Sequence, residues 1–312
     1  MVLVTAALIS AALAAVADAQ PKSNETRTRE VCITFDDLPS GPDSDVKTLA
    51  RFTAKLLQAI KSNRVPATGF VNEGKLYHAG ETDARIAVLK QWTDAGIELG
   101  NHTFSHKHFF DISVDEQKSE VIRGETVTIL LQKKRPQFFR HPYLCTGQDS
   151  AGKAQFETFL TAQGYLAAPV TMDNSEWMFG FVYTDASKRG DKAAMQKIAA
   201  AYLQYIETVA EFYESFSREL LGREMKHILL LHASLLNADC FEQVIEIFKR
   251  RGYTFISLQA ALEDAAYQLP DAYIGARGIS WLQRWRITKG LSPKPEPPVP
   301  AFVEAAWRVR TK

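Results

Sequence analysis

The sequence has few cysteines, almost no net charge and no apolar run of membrane-spanning length. Its three cysteines, Cys32, Cys145 and Cys240, are odd in number and far apart, which excludes a disulfide framework and a zinc ribbon. We expect them to be buried free thiols. The 37 basic and 36 acidic residues leave a net charge of +1, which gives no electrostatic footprint for binding nucleic acid. The absence of about 20 consecutive apolar residues excludes a polytopic membrane protein.

A Gly-rich phosphate loop, a Gly-x-Ser-x-Gly nucleophile elbow and a solenoid-type repeat are also missing from the sequence. The 312 residues are 46% apolar and 23% charged, which is the composition of an ordinary globular protein with a large core. Residues 2–16 are nearly all apolar and are followed by Ala17-Asp18-Ala19. This pattern predicts a signal peptide over residues 1–19 and a secreted or periplasmic protein, without stable membrane insertion after cleavage.

Short β-type runs alternate with helical patterns from residue 30 onward. Seven such units are typical of an α/β fold, in which a parallel sheet with helical crossovers closes, or nearly closes, into a barrel. We expect the catalytic barrel to span residues 30–268. Residues 269–312 then form a C-terminal extension packed on the barrel, with six of the 13 prolines and three of the five tryptophans. In barrels of this kind, active-site residues follow the carboxyl ends of the strands.

Two strand ends carry a combination of residues that suits a metal. Asp36 and Asp37 end the first strand, and His102 and His106 follow the third. Histidines four residues apart on one helical turn point the same way. With Asp37 they make a three-ligand set of the kind that holds catalytic Zn²⁺; Co²⁺, Mn²⁺ and Ni²⁺ are alternatives. A 2-His-1-carboxylate iron oxygenase uses similar ligands, but it has no need of Asp36 or His232.

The remaining strand ends supply groups for proton transfer. Asp36 is the expected general base, because Zn²⁺ lowers the pKa of a water molecule to about 7. Arg140, at the end of the fourth strand, is its expected partner. His232 follows four apolar residues and suits a general acid. Asp173 or Glu176 is expected to raise the pKa of His232, and the sequence does not separate the two.

Five motifs together resemble those of the polysaccharide deacetylase family (NodB homology domain, carbohydrate esterase family 4). They are, in order, Thr-Phe-Asp-Asp, His-Thr-Phe-Ser-His, Arg-His-Pro-Tyr, the segment from Asp173 to Trp177, and Leu-Leu-His. The resemblance covers about residues 30 to 265. It implies a distorted (β/α)7 barrel and a metal-dependent hydrolase that removes acetyl groups from N-acetylated glycans, with O-acetylated glycans as a further possibility.

The resemblance also assigns roles by motif. It implies that Asp36 is the base, that Asp37, His102 and His106 bind the metal, and that His232 is the acid. It implies further that Arg140 orients the base, that the backbone N–H of Tyr143 helps hold the oxyanion, that Leu230 shapes the pocket for the acetyl methyl group, and that Asp173 or Glu176, with Trp177, tunes the acid.

The sequence departs from the family at two positions on the rim of the site. Leu38 follows the two aspartates where the family commonly has glycine, and Ala233 follows the last histidine where it commonly has aspartate. Two alternative functions stay open. One is hydrolysis of a non-sugar C–N amide bond on the same barrel, and the other is a catalytically silent homologue that binds glycans. An acetylated oligo- or polysaccharide is the expected partner, and nucleic acid is not.

Overall fold

The computed structural model describes residues 29–42 and 44–310, so the predicted signal peptide at residues 1–19 lies outside the described part of the chain. The strands are β1 (Arg29–Leu38), β2 (Ala67–Val71), β3 (Glu98–Asn101), β4 (Phe138–Phe139), β5 (Leu166–Ala167), β6 (Lys226–His232) and β7 (Tyr253–Phe255). The helices are α1 (Val46–Ser62), α2 (Thr82–Asp94), α3 (Val114–Arg123), α4 (Thr126–Gln132), α5 (Ser150–Ala162), α6 (Glu176–Lys188), α7 (Lys192–Leu221), α8 (Leu235–Arg250), α9 (Leu258–Leu262), α10 (Trp281–Thr288) and α11 (Ala301–Arg310).

The strands form one parallel sheet in the order β5-β4-β3-β2-β1-β6, with β7 paired to the start of β1. Beyond β5 the chain reaches the opposite edge of the sheet, where Met172 forms a parallel bridge with Leu229 of β6. The sheet therefore curls into a distorted barrel, and the predicted α/β fold is confirmed. All strand ends that carry the candidate site residues meet at one rim.

Helices cover the sheet and bury its apolar side chains. Val31, Ile33 and Phe35 of β1 are at most 1% exposed, and the ring of Phe35 packs edge-to-face on Trp92 of α2 and Phe241 of α8. The three cysteines are free and buried, as expected. Among the described helices, none has both the length and the apolar character to span a membrane.

The helical segment over residues 114–131 is interrupted. Its sequence pattern is typical of a single helix, but the structure has α3 and α4 with a break at Gly124. A Cβ atom on Gly124 would lie 2.5 Å from the carbonyl carbon of Thr103. Only glycine allows this close backbone approach, and it brings the end of α3 against the segment that carries His102 and His106.

The C-terminal extension lies against the barrel through buried contacts. The backbone N–H of Trp281 donates to the carbonyl of Val170 at 2.8 Å, and Ser280 Oγ donates to the carbonyl of Thr171 at 2.8 Å. Trp285 is 2% exposed. Residues 293–300 are rich in proline, which disfavours both helix and sheet, and they form neither; α11 follows them. Its Trp307 packs edge-to-face on Trp177 of α6, with ring centroids 4.9 Å apart.

Candidate active site

The two aspartates near the carboxyl end of β1 point toward different partners. Asp36 pairs in register with His232 at the end of β6. Asp37 has a φ of 66°, in the left-handed region that residues other than glycine rarely adopt. Such conformations cluster at functional sites, where the surrounding structure holds them in place. The turn in the backbone separates the two carboxylates, so that each serves a different part of the site.

Asp37, His102 and His106 converge as a candidate metal site. One ligand atom from each lies within 4.8 Å of the others. Asp37 Oδ1 is 3.3 Å from His106 Nε2 and 3.7 Å from His102 Nε2. This Oδ1 is buried and has no hydrogen-bond partner, as expected of an atom placed to bind a cation.

The sequence predicted a helical turn between the two histidines, and this prediction is wrong. Residues 102–106 form a loop, in which Thr103 and His106 have left-handed φ values of 67° and 54°. The ring centroids of the two histidines still lie 4.8 Å apart. The loop is held from α3, because the Glu120 carboxylate accepts the backbone N–H of Ser105 at 2.6 Å.

Both histidines are set up as neutral ligands. Burial lowers the pKa of His102 well below its usual range, and burial also lowers that of His106. The Nδ1 atom of His102 lies 2.8 Å from the carbonyl oxygen of Arg140, which fixes the ring and leaves Nε2 to face Asp37. Burial alone would raise the pKa of Asp37, but Lys75 and His106 outweigh it and hold that pKa well below its usual range. The donor set therefore fits a divalent metal in both charge and tautomer.

Asp36 is buried beside the three candidate metal ligands. Its Oδ2 is 3.7 Å from His102 Nε2 and 3.6 Å from Arg140 Nη1, and its Oδ1 has no hydrogen-bond partner. Burial raises the pKa of Asp36 to about 6, against the opposing effect of Arg140. Arg140 is fully buried, donates to Thr34 Oγ1 at 3.0 Å and lies 4.7 Å above the Phe70 ring. Its position beside Asp36 is the one the sequence predicted.

Glu176, and not Asp173, is hydrogen-bonded to His232. Glu176 Oε2 lies 2.8 Å from His232 Nδ1 and accepts the backbone N–H of His232 at 3.1 Å. Burial alone would lower the pKa of His232, but the hydrogen bond to Glu176 and the charges of Glu176, Asp37 and Asp36 raise it to about 9. Asp173 lines the same cavity, where burial and then the charge of Glu296 raise its pKa to about 7.

The other predicted residues line the mouth of the site. Tyr143 is 53% exposed, and its ring centroid is 4.4 Å from that of His106. Leu230 and Trp177 line the same cavity, whose volume is about 1240 Å³. The opposite wall of the cavity comes from the extension, through residues 276–279 and 293–299.

Residues 23–158 match the model of the polysaccharide deacetylase family. The resemblance to this family is confirmed. The chain is 29% identical over 149 residues to a peptidoglycan-N-acetylglucosamine deacetylase of Bacillus cereus, a match that covers 47% of this chain and 46% of that protein. The match thus spans about half the length of this curated relative.

Solved structures support the fold of a polysaccharide deacetylase. One from Bacillus cereus aligns with a TM-score of 0.51 at 19% identity, covering 73% of this chain and 91% of that one. A CE4 family pseudoenzyme from Bacillus anthracis aligns with a TM-score of 0.50 at 15% identity, covering 76% and 66%. At these identities the likeness concerns the fold alone.

Three further residues of the candidate site could not be predicted from the sequence. Lys75 Nζ lies 3.1 Å from Asp37 Oδ2, Glu120 holds the histidine loop, and Asn237 Nδ2 donates to Glu176 Oε1 at 2.7 Å. None follows a strand directly, so the strand-end criterion could not find them. The only signal for Glu120 was an acidic residue on the face of α3 that also carries Gln117, which is buried.

Proposed function

We propose that the protein hydrolyses the acetamido groups of N-acetylated glycans, or the acetyl esters of O-acetylated ones, with a divalent metal bound by Asp37, His102 and His106. The observation that carries the proposal is geometric: Asp36 lies beside the converging ligand atoms of Asp37, His102 and His106, and it pairs in register with His232 on the neighbouring strand. Asp36, with a pKa near 6, is mostly ionised at neutral pH, while His232, with a pKa near 9, is mostly protonated. A base and an acid across one site are what amide hydrolysis requires.

Zn²⁺ is the proposed metal, and when held by Asp37, His102 and His106 it would supply Lewis-acid polarisation of the carbonyl and lower the pKa of a water molecule to about 7. The orphaned Oδ1 of Asp37 and the two neutral imidazoles support this assignment. Co²⁺, Mn²⁺ and Ni²⁺ accept the same ligand types.

The remaining steps of the proposed reaction depend on residues of the chain itself. Asp36 accepts the proton of the attacking water, and Arg140 holds that carboxylate in place. The backbone N–H of Tyr143 donates to the oxyanion that forms on the substrate, an interaction of a kind worth about 3–4 kcal/mol. His232 then protonates the departing amine, with Glu176 fixing its tautomer.

The same proposal places the substrate in the large cavity. Leu230 would contact the acetyl methyl group and Trp177 the sugar. Residues 30–268 would form the catalytic barrel and residues 269–312 an extension that contributes one wall. We further propose that residues 1–19 direct secretion, because an apolar run followed by Ala17-Asp18-Ala19 is typical of a signal peptide with its cleavage site.

Acetate release from a panel of N- and O-acetylated oligosaccharides tests this function. The protein is stripped with chelator, assayed, and assayed again after addition of Zn²⁺. We expect release only with metal, and the panel identifies the acetylated sugar. No release from any glycan, with one equivalent of zinc bound, would favour a non-sugar amide substrate or a silent glycan-binding homologue, and a panel of acetylated amines then separates these two.

Changing Glu176 to glutamine should move the alkaline limb of the pH–rate profile to lower pH. The Glu176 carboxylate favours the charged imidazolium of His232, so its loss lowers the pKa of His232, and the acid form disappears at lower pH. We expect the alkaline limb of the pH profile of kcat/KM to move to lower pH by about one pH unit or more. The pH profile of the variant, measured with the best glycan of the panel, checks this.

Asp173→Asn is the matched control for Glu176→Gln. It removes a carboxylate from the same cavity that is not hydrogen-bonded to His232, so the limb should stay within about half a pH unit of its original position. A large shift in Asp173→Asn and none in Glu176→Gln would assign the tuning role to Asp173.

A further inference from the structure

The loop that carries Tyr143 has an unusual backbone. We define the Tyr143 loop as residues 141–146. Tyr143 and Leu144 have φ values of 55° and 54°, so two successive residues other than glycine lie in the left-handed region. Such backbone persists only where the surroundings over-determine it. Within the loop, Leu144 N donates to His141 O and Cys145 N to Pro142 O, both at 3.0 Å, but these local bonds also form in ordinary turns.

The C-terminal extension contacts this loop through a hydrogen bond from Cys145 Sγ to Gly275 O at 3.7 Å and, more closely, at two further points, of which the first is Gly278. A Cβ atom built on Gly278 would lie 1.6 Å from the carbonyl oxygen of Tyr143 and 2.7 Å from its carbonyl carbon. The backbone of the extension therefore presses directly on the peptide unit of Tyr143. Only a residue without a side chain permits this distance.

Arg284 of α10 is the second point. Its Nη1 donates to Leu144 O at 3.1 Å and its Nη2 to Thr146 Oγ1 at 2.6 Å. The side chain is fully buried. The rigid fork of a guanidinium thus binds two groups of the loop at once, which a lysine cannot reproduce.

The charge of Arg284 is balanced within the extension. Asp271 Oδ2 lies 2.8 Å from Arg284 Nη2 and also accepts from Lys153 of α5 at 2.7 Å. The Trp281 ring lies 4.3 Å from the guanidinium carbon. A buried cation with this many partners is fixed in position, so it can fix the loop in turn.

We propose that Gly278 and Arg284 are positioning residues that hold the Tyr143 loop in the backbone conformation required to donate its N–H to the oxyanion. This inference rests on the proposed function, in which Tyr143 supplies that donor. It makes the extension a functional part of the site, because residues about 140 positions away in sequence set the geometry of the loop. An oxyanion donor acts only when it is aligned with the oxygen of the transition state.

The first test compares Arg284→Lys with Arg286→Lys. Both residues are on α10, but Arg286 binds Ser292 and Glu219 away from the loop. In Arg284→Lys we expect amide hydrogen exchange in residues 141–146 to rise by about 10-fold or more, and kcat to fall by about 10-fold to 100-fold with KM and zinc content unchanged. Arg286→Lys should leave all four quantities near those of the unchanged protein.

The second test compares Gly278→Ala with Gly290→Ala. Gly290 follows α10, and a Cβ atom built there meets no atom within 4 Å, so its methyl group strains only its own backbone, which has a φ of 76°. The methyl group at position 278 instead displaces the backbone of Tyr143. We expect Gly278→Ala to reproduce the rise in exchange and the loss of kcat, and Gly290→Ala to show neither.

Each outcome decides a separate question. Unchanged exchange in both Arg284→Lys and Gly278→Ala would overturn the inference, as would faster exchange without a loss of kcat. If the protein without substitutions releases no acetate from any glycan, this result would contradict the proposed function and, with it, the role of the loop in turnover. The exchange measurement would still show whether the extension holds the loop.

Discussion

Asp36→Asn is expected to lower kcat for deacetylation by about 10²–10⁴-fold while zinc stays bound at one equivalent. Asparagine has the shape of aspartate but cannot accept a proton at neutral pH, so the attacking water loses its base. The metal should remain because the candidate ligands are Asp37, His102 and His106, and Asp36 is not one of them. Zinc content by elemental analysis and acetate release on the same sample check both halves of the prediction.

His102→Ala is the contrasting variant. It removes one of the three candidate ligands, so we expect both zinc and turnover to be lost. Because Asp36 is the acid nearest the buried Arg140, circular dichroism should confirm that Asp36→Asn remains folded. Full activity in Asp36→Asn would contradict the assignment of Asp36 as the base, and loss of zinc in that variant would make Asp36 a ligand.

Most side chains of the candidate site could be predicted because each lies at or next to the carboxyl end of a buried strand. Asp36, Arg140 and His232 are polar residues that follow apolar runs, and a parallel sheet brings such positions to one rim. The order of the five motifs then indicated the resemblance to the polysaccharide deacetylase family. No knowledge of side-chain contacts was needed at this level, because strand direction alone places these groups together.

The finer geometry could not be predicted because it depends on where backbone turns and helices begin. The choice between Asp173 and Glu176 depends on α6 starting at Glu176, and Ser175 before it makes no side-chain capping bond that would mark this start. The two candidate ligand histidines converge through left-handed residues in a loop, although their spacing predicted a helical turn. Contacts of Arg284 with Leu144 span 140 residues and leave no local signal in the sequence.

The general-acid role of His232 can be separated from its other effects by the choice of leaving group. His232→Asn keeps a hydrogen-bond donor near Glu176 but removes the group that protonates the amine. An amine leaves poorly without a proton, whereas para-nitrophenolate leaves readily without one. We therefore expect kcat for an N-acetylated glycan to fall by about 10²–10³-fold at pH 7 to 8, and the hydrolysis of para-nitrophenyl acetate to fall by less than about 10-fold.

The comparison works because both substrates are attacked at an acetyl carbonyl by water, whereas only the amine leaving group needs a proton to depart. Attack by water depends on Asp36 and the metal ligands for both, so Asp36→Asn should reduce both rates alike and serves as the control. An equal loss for both substrates in His232→Asn would place His232 in the attack step, as a donor to the oxyanion. A selective loss for the amide would fit the geometry of the site. Glu176 is hydrogen-bonded to His232 and favours its protonated form, and His232 pairs in register with Asp36 on the neighbouring strand.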